Sequence, residues 1–178
     1  LKKYPKVQNF EAGSSELSFN EAVTEAMTNL GKKEDTIFLG YNVGSNFGDA
    51  MGNFKNIEDN KKIETPVAEN LMSSIGMGLS LEGYRPIVYF ERHDFMMVAM
   101  DSLVNHVSQI ERISHSEFKA PVIFRTVVAD EGPFYSGPTH SQDFTEIFKN
   151  ILSFPVLEPK TAEEVLSYYE YAYNADFP

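Results

Sequence analysis

Short, uninterrupted apolar runs alternate with helical-period segments along most of this chain. "TIFLG", "RPIVYFE", "PVIFRTV" and "FPVLEP" are five to seven residues long, rich in β-branched and aromatic residues, and too short to be buried helices. Between them, apolar residues recur three and four apart. In "SFNEAVTEAMTNLGKK", Phe19, Ala22, Val23, Ala26, Met27 and Leu30 share one face. Ser18 and Glu21 have the spacing of a capping box, and Gly31 marks a stop. A link through "KKIET" leads to a second helix, expected from Pro66 to about Leu81, with Thr65 as its cap. A long amphipathic helix should cover "FMMVAMDSLVNHVSQIERIS", a short one "FTEIFKNI", and a last one "AEEVLSYYEYAYN", capped by Thr161. Strands that are apolar on both faces and alternate with helices form parallel sheets with helices on either side. The predicted class is α/β with a mainly parallel sheet. A polar leader over 1–17 precedes one predicted domain over 18–178.

A chain of 178 residues, 42% hydrophobic and 13% aromatic, can bury a single sizeable core. No apolar run approaches the roughly 18 residues of a membrane span. The first residues, "LKKYPKVQNFEAGSSELSF", lack the apolar core of a signal peptide. There is no cysteine, so disulfides, thiol catalysis and thiolate metal sites are excluded together. That fits a reducing cytoplasm, the expected location. The net charge of −11 argues against a nucleic-acid partner, because phosphate recognition needs basic patches. The only lysine-dense stretch, "NFKNIEDNKK", is mixed in sign and reads as a solvated loop. The chain starts at Leu1 and stops at "YNADFP", as a piece of a longer polypeptide would.

In parallel sheets ligands bind at the carboxyl ends of strands. The loops after Gly40, Glu91 and Thr126, together with the "ETP" turn before Glu69, are therefore the predicted site. Glu69 falls one residue too late to complete a capping box with Thr65. An acid in a first turn gains about 0.3–1 kcal/mol from the helix dipole wherever it points. Its neighbours Val67, Ala68, Leu71 and Met72 predict partial burial, which makes a proton-sharing carboxylate plausible. His140 lies in "SGPTHSQD", a Gly/Pro-bounded loop of the kind that carries functional groups. His93 in "ERHDF" occupies a similar strand end with less specificity, and Phe95 follows it. His106 and His115 read as surface or packing residues. No HExxH spacing, Walker loop or GxGxxG in a strand–turn–helix setting is present, so neither a metal nor a dinucleotide site is predicted.

Taken in order, these pieces resemble the pyrimidine-binding domain of thiamine diphosphate enzymes, and most of all the β subunit of 2-oxo acid dehydrogenase E1 components. The pattern is carried by Thr65, Pro66 and Glu69; Gly83, Arg85 and Pro86; Asp94 and Phe95; and Ala99, Asp101 and Asn105. "VIFR", "HSQ" and "FPVLEPKTAEEV" then follow in the family's order. The likeness runs from about Leu17 to the C-terminus. It implies that Glu69 hydrogen-bonds N1′ of the cofactor's aminopyrimidine, that Phe95 packs against that ring, and that His140 stands near the substrate. It implies thiamine diphosphate as cofactor, shared with an E1 α-like subunit or diphosphate-binding domain that holds Mg2+. It also implies a homo- or hetero-oligomer in which Ser74 and Gly78 let a partner helix approach closely. The implied activity is decarboxylation of a 2-oxo acid. A split transketolase or deoxyxylulose-phosphate-synthase-like subunit acting on sugar phosphates is the alternative, as is a non-catalytic assembly subunit. Two departures stand out. "GYNVG" replaces the family's acidic pair after the first strand, so Asn42 cannot share a proton. The "GDG…N" diphosphate motif and the family's C-terminal domain are absent from this sequence.

Overall fold

The structure, a computed structural model, describes residues 16–44, 52–129 and 136–178. Helix α1 (Phe19–Gly31) starts as the sequence predicts. The Ser18 hydroxyl accepts the Glu21 N–H, and the Glu21 carboxylate accepts the Ser18 N–H at 2.8 Å. Four strands follow in one sheet: β1 (Thr36–Gly40), β2 (Lys62–Glu64), β3 (Arg85–Tyr89) and β4 (Ile123–Arg125). Their order is β2-β1-β3-β4, and every pairing is parallel. The remaining helices are α2 (Glu69–Leu81), α3 (His93–Met96), α4 (Ile110–Ile113), α5 (Thr145–Ile151) and α6 (Ala162–Asn174). The α6 helix carries a second capping box, from Thr161 and Glu164.

Because side chains alternate across a strand, β3 feeds two cores. Ile87 and Tyr89 face α1 and α6, where Ala22, Val23, Ala26, Met27, Leu30 and Val165 are buried. Val88 and Phe90 face the opposite layer with Met72, Leu103 and Phe148. Each fully buried Met, Leu or Phe stabilises by about 1.5–3 kcal/mol relative to exposure. The predicted α/β class, with helices on both faces of a parallel sheet, is the class observed. Among the described residues no helix is long and apolar enough to cross a membrane.

Four expectations are corrected. "KKIET" is not a bare link, because Lys62–Glu64 pairs with β1. With one apolar residue between a lysine and a glutamate, β2 carries no apolar run to announce it. Helix α2 begins at Glu69 rather than Pro66. The Thr65 N–H bonds the Gly40 carbonyl at 3.0 Å, and a residue before proline is pushed away from helical geometry, so the chain stays extended. The long amphipathic helix is broken into short pieces, with tight turns at Met97–Ala99 and a widened π turn over Ser102–Val107. Its cause is a tertiary contact: the Ser102 N–H bonds Asn70 Oδ1 on α2, 32 residues earlier, at 3.1 Å. Finally, "FPVLEP" forms no strand. Pro155 cannot donate to a ladder, and this segment faces β4 across a cavity of about 400 Å³.

Candidate functional site

The chain runs from β1 outward to β2, then crosses back to β3 on the other side of β1. The loops after β1 and β3 therefore diverge, and such a switch point is where parallel sheets hold ligands. The last residue of β1 is glycine because a Cβ at Gly40 would come within 2.8 Å of the Tyr89 carbonyl oxygen. Tyr41 and Asn42 follow, and Asn42 adopts φ +63°, a left-handed conformation that asparagine tolerates.

Carboxylates from two other strands converge on this turn. Glu64, at the end of β2, accepts the Asn42 N–H at 2.5 Å and the Gly44 N–H at 2.7 Å. Glu91, just past β3, accepts from Asn42 Nδ2 at 2.9 Å. Two carboxylates therefore reach this turn in space, one from the end of β2 and one from just past β3. Glu69 opens α2 and is only 6% exposed. The buried Tyr41 hydroxyl lies beside the Glu91 backbone. Burial first, then the Glu69 carboxylate, pushes its pKa well above the ordinary phenol value, with Glu91 adding to the effect. The hydroxyl of Thr65 is buried and finds no hydrogen-bond partner among the described residues.

On the β3 side, Phe95 and His140 meet edge to face, with ring centres 5.1 Å apart and planes at 85°. The Thr139 hydroxyl and His140 Nδ1 are 2.9 Å apart. The loop carrying His140 is tied back to the turn after β3. Asp94 accepts Gln142 Nε2 at 2.8 Å and the Gln142 N–H at 3.3 Å. His93 is buried, and its Nδ1 accepts the Phe144 N–H at 3.0 Å. Asp143 accepts the Thr145 N–H at 2.8 Å, and its pKa is lowered by hydrogen bonding to Thr145 and, less strongly, by His93.

The chain matches the transketolase pyrimidine-binding domain model over residues 15–178. It belongs to that family. Among curated proteins, this pyrimidine-binding domain is similar to the pyruvate dehydrogenase E1 component subunit beta of Ascaris suum, at 26% identity over 97% of the chain and 48% of the relative. The mitochondrial pyruvate dehydrogenase E1 component subunit beta-1 of Oryza sativa subsp. japonica is 25% identical over 88% of the chain and 42% of the relative. The 2-oxoisovalerate dehydrogenase subunit beta of Bacillus subtilis is 26% identical over 83% of the chain and 46% of the relative. The chain spans less than half the length of these curated relatives.

Within the domain, Phe95 and His140 are in direct contact. Glu69 acts on Tyr41, and Tyr41 belongs to the apolar cluster against which Phe95 packs. No hydrogen bond joins Glu69 to His140 among the described residues. His106 is exposed, 3.7 Å from Asp101, and His115 sits in a left-handed turn, so both fit their reading as surface or packing residues. Sequence reasoning missed Tyr41, Glu64 and Glu91. The signal was faint: Glu64 directly precedes Thr65-Pro66, and Glu91 is the first polar residue after "IVYF". Parts of the loops after β1 and β4, at 45–51 and 130–135, lie outside the described residues.

Proposed function

We propose that this chain is the pyrimidine-binding half of a thiamine diphosphate-dependent enzyme of the 2-oxo acid dehydrogenase E1 type. The observation that carries the reading is the buried Glu69 carboxyl at the start of α2, beside the crevice where the β1 and β3 loops diverge. A carboxyl removed from water there suits the ring nitrogen of an aminopyrimidine. The surrounding groups fit the same ligand: an aromatic face from Phe95, apolar Met72, and the buried hydroxyls of Tyr41 and Thr65.

Thiamine diphosphate, when bound, supplies the electron sink for cleaving a bond to a carbonyl carbon. The protein's own work is to place and move protons. A Glu69 carboxyl oxygen holds and exchanges the proton at N1′, shielded from water by its burial. Phe95 orients the pyrimidine plane. His140, with Nδ1 engaged by Thr139, presents Nε2 toward the substrate and can hold or donate a proton there. Glu64 and Glu91 hold the Asn42 turn in shape.

Among the described residues no group of three His, Cys, Asp or Glu could hold a metal ion. The Mg2+ and diphosphate contacts are assigned to an E1 α-like subunit or a separate diphosphate-binding domain. Along the outer side of α2, Leu71, Ser74, Gly78 and Leu81 form an exposed stripe at helical spacing, which suits such a subunit contact. Cytoplasmic residence is part of the same proposal.

The test is turnover of the assembled enzyme, followed through reduction of an artificial electron acceptor. Pyruvate and branched-chain 2-oxo acids are compared with ketose phosphates. Activity on a 2-oxo acid that depends on thiamine diphosphate is the expected result. Turnover of ketose phosphates alone would replace the E1 reading with a transketolase one. Indifference to the cofactor would reject both.

A further inference from the structure

We infer that Asp94 and Gln142 form a positioning pair that sets the orientation of His140 against Phe95, an inference that rests on the function proposed for His140 above. Three successive residues leaving β3 meet every second residue of the returning loop. His93 takes the Phe144 N–H, Asp94 takes Gln142 twice, and Phe95 meets the His140 ring. Each step forward on one segment is two steps back on the other, so the two segments form a three-rung clamp with His140 on its last rung.

The loop needs such a clamp because it has little structure of its own. Between residues 136 and 144 it contains no helix or strand, and one short backbone bond, His140 N–H to the Gly137 carbonyl at 3.1 Å, shapes the turn. The outer rung, at His93, is buried and belongs to the core. The middle rung is different: Gln142 is exposed, and the Asp94 carboxylate bonds the loop alone. Its two bonds, one to backbone and one to side chain, fix both the position and the direction of the chain two residues from His140. Bonds to an ionised carboxylate are stronger than neutral ones. A helix-dipole role for Asp94 is a weak rival, since α3 is only four residues long.

The experiment uses the assembled enzyme with histidine labelled at Cε1. The His140 resonance, identified by its loss in His140→Gln, should be displaced by the Phe95 ring current, and Phe95→Leu should remove the displacement. Asp94→Ala and Gln142→Ala should each move that resonance toward its position in Phe95→Leu. Both should lower kcat by up to about 100-fold, the scale of a misplaced group, with KM and melting temperature nearly unchanged. The double variant should be no worse than the worse single one. Asp94→Asn, which keeps an acceptor for Gln142 Nε2, should recover most of both signals. A resonance that stays in place in Asp94→Ala and Gln142→Ala overturns the inference whatever happens to activity, and so does an additive loss in the double variant. A displaced resonance with unaltered kcat supports the clamp and removes His140 from the proposed reaction.

Discussion

At the residue scale, Glu69 and His140 pose different questions, because one is buried at a helix start and the other rides on a loop. Replacing Glu69 with glutamine preserves shape and a hydrogen-bonding end but removes the exchangeable proton. Glu69→Gln should lower turnover by about 10²–10⁴-fold, the range for a lost acid–base group, while its circular dichroism stays that of the parent. Near-normal turnover with cofactor bound would sink the assignment. His140 touches Thr139 and the edge of Phe95 and belongs to neither buried core itself. His140→Ala should therefore impair turnover while the melting temperature moves by no more than about 2–4 °C. A variant that unfolds yet keeps its specific activity would make His140 a structural residue.

At the element scale, α2 carries its small residues for two separate reasons. Gly76 faces the sheet, where a Cβ would come within 2.5 Å of Val88 Cγ2 and 3.4 Å of Val122 Cγ1. Overpacking of this kind costs about 1–3 kcal/mol, which outweighs the roughly 1 kcal/mol that alanine gains in a helix. Gly76→Ala should therefore lower the midpoint of urea unfolding. Gly78 faces outward with nothing within 4 Å of its Cβ position. Gly78→Ala should stabilise the isolated chain by about 0.5–1 kcal/mol and weaken its association with a partner subunit. Equal effects at the two glycines in urea melts, or tighter association of the Gly78 variant in sedimentation, would contradict this division.

At the scale of the whole molecule, we propose that the chain offers one side of a ligand site. It provides a carboxyl, an aromatic face and apolar wall, while its net charge of −11 opposes a polyanion at long range. A dication paired with a multiply charged diphosphate should dominate the affinity for thiamine diphosphate. The folded chain alone should therefore bind the cofactor weakly or not at all, even with magnesium present. Calorimetry checks this directly, and micromolar or tighter binding to a proven monomer would refute the half-site reading.

What the sequence determined by itself was whatever depends on neighbours along the chain. The capping box at Ser18, the cap at Thr161, the helical face of α1 and the apolar strands β1, β3 and β4 all rest on short-range spacing, and all are found. The ordered motifs around Glu69, Phe95 and His140 likewise sufficed to place the chain in its family. Tertiary structure decided what depends on partners distant in sequence. Strand β2 exists because β1 offers it a ladder, and the π turn exists because Asn70 captures the Ser102 N–H. The acids around Asn42 arrive from positions 22 and 49 residues away. His140 acquires an orientation because a turn 46 residues earlier reaches across to hold Gln142. A local pattern can state which residues prefer a helix or a strand. Long-range hydrogen bonds satisfy groups whose partners no local window contains, and at this site those bonds set the geometry.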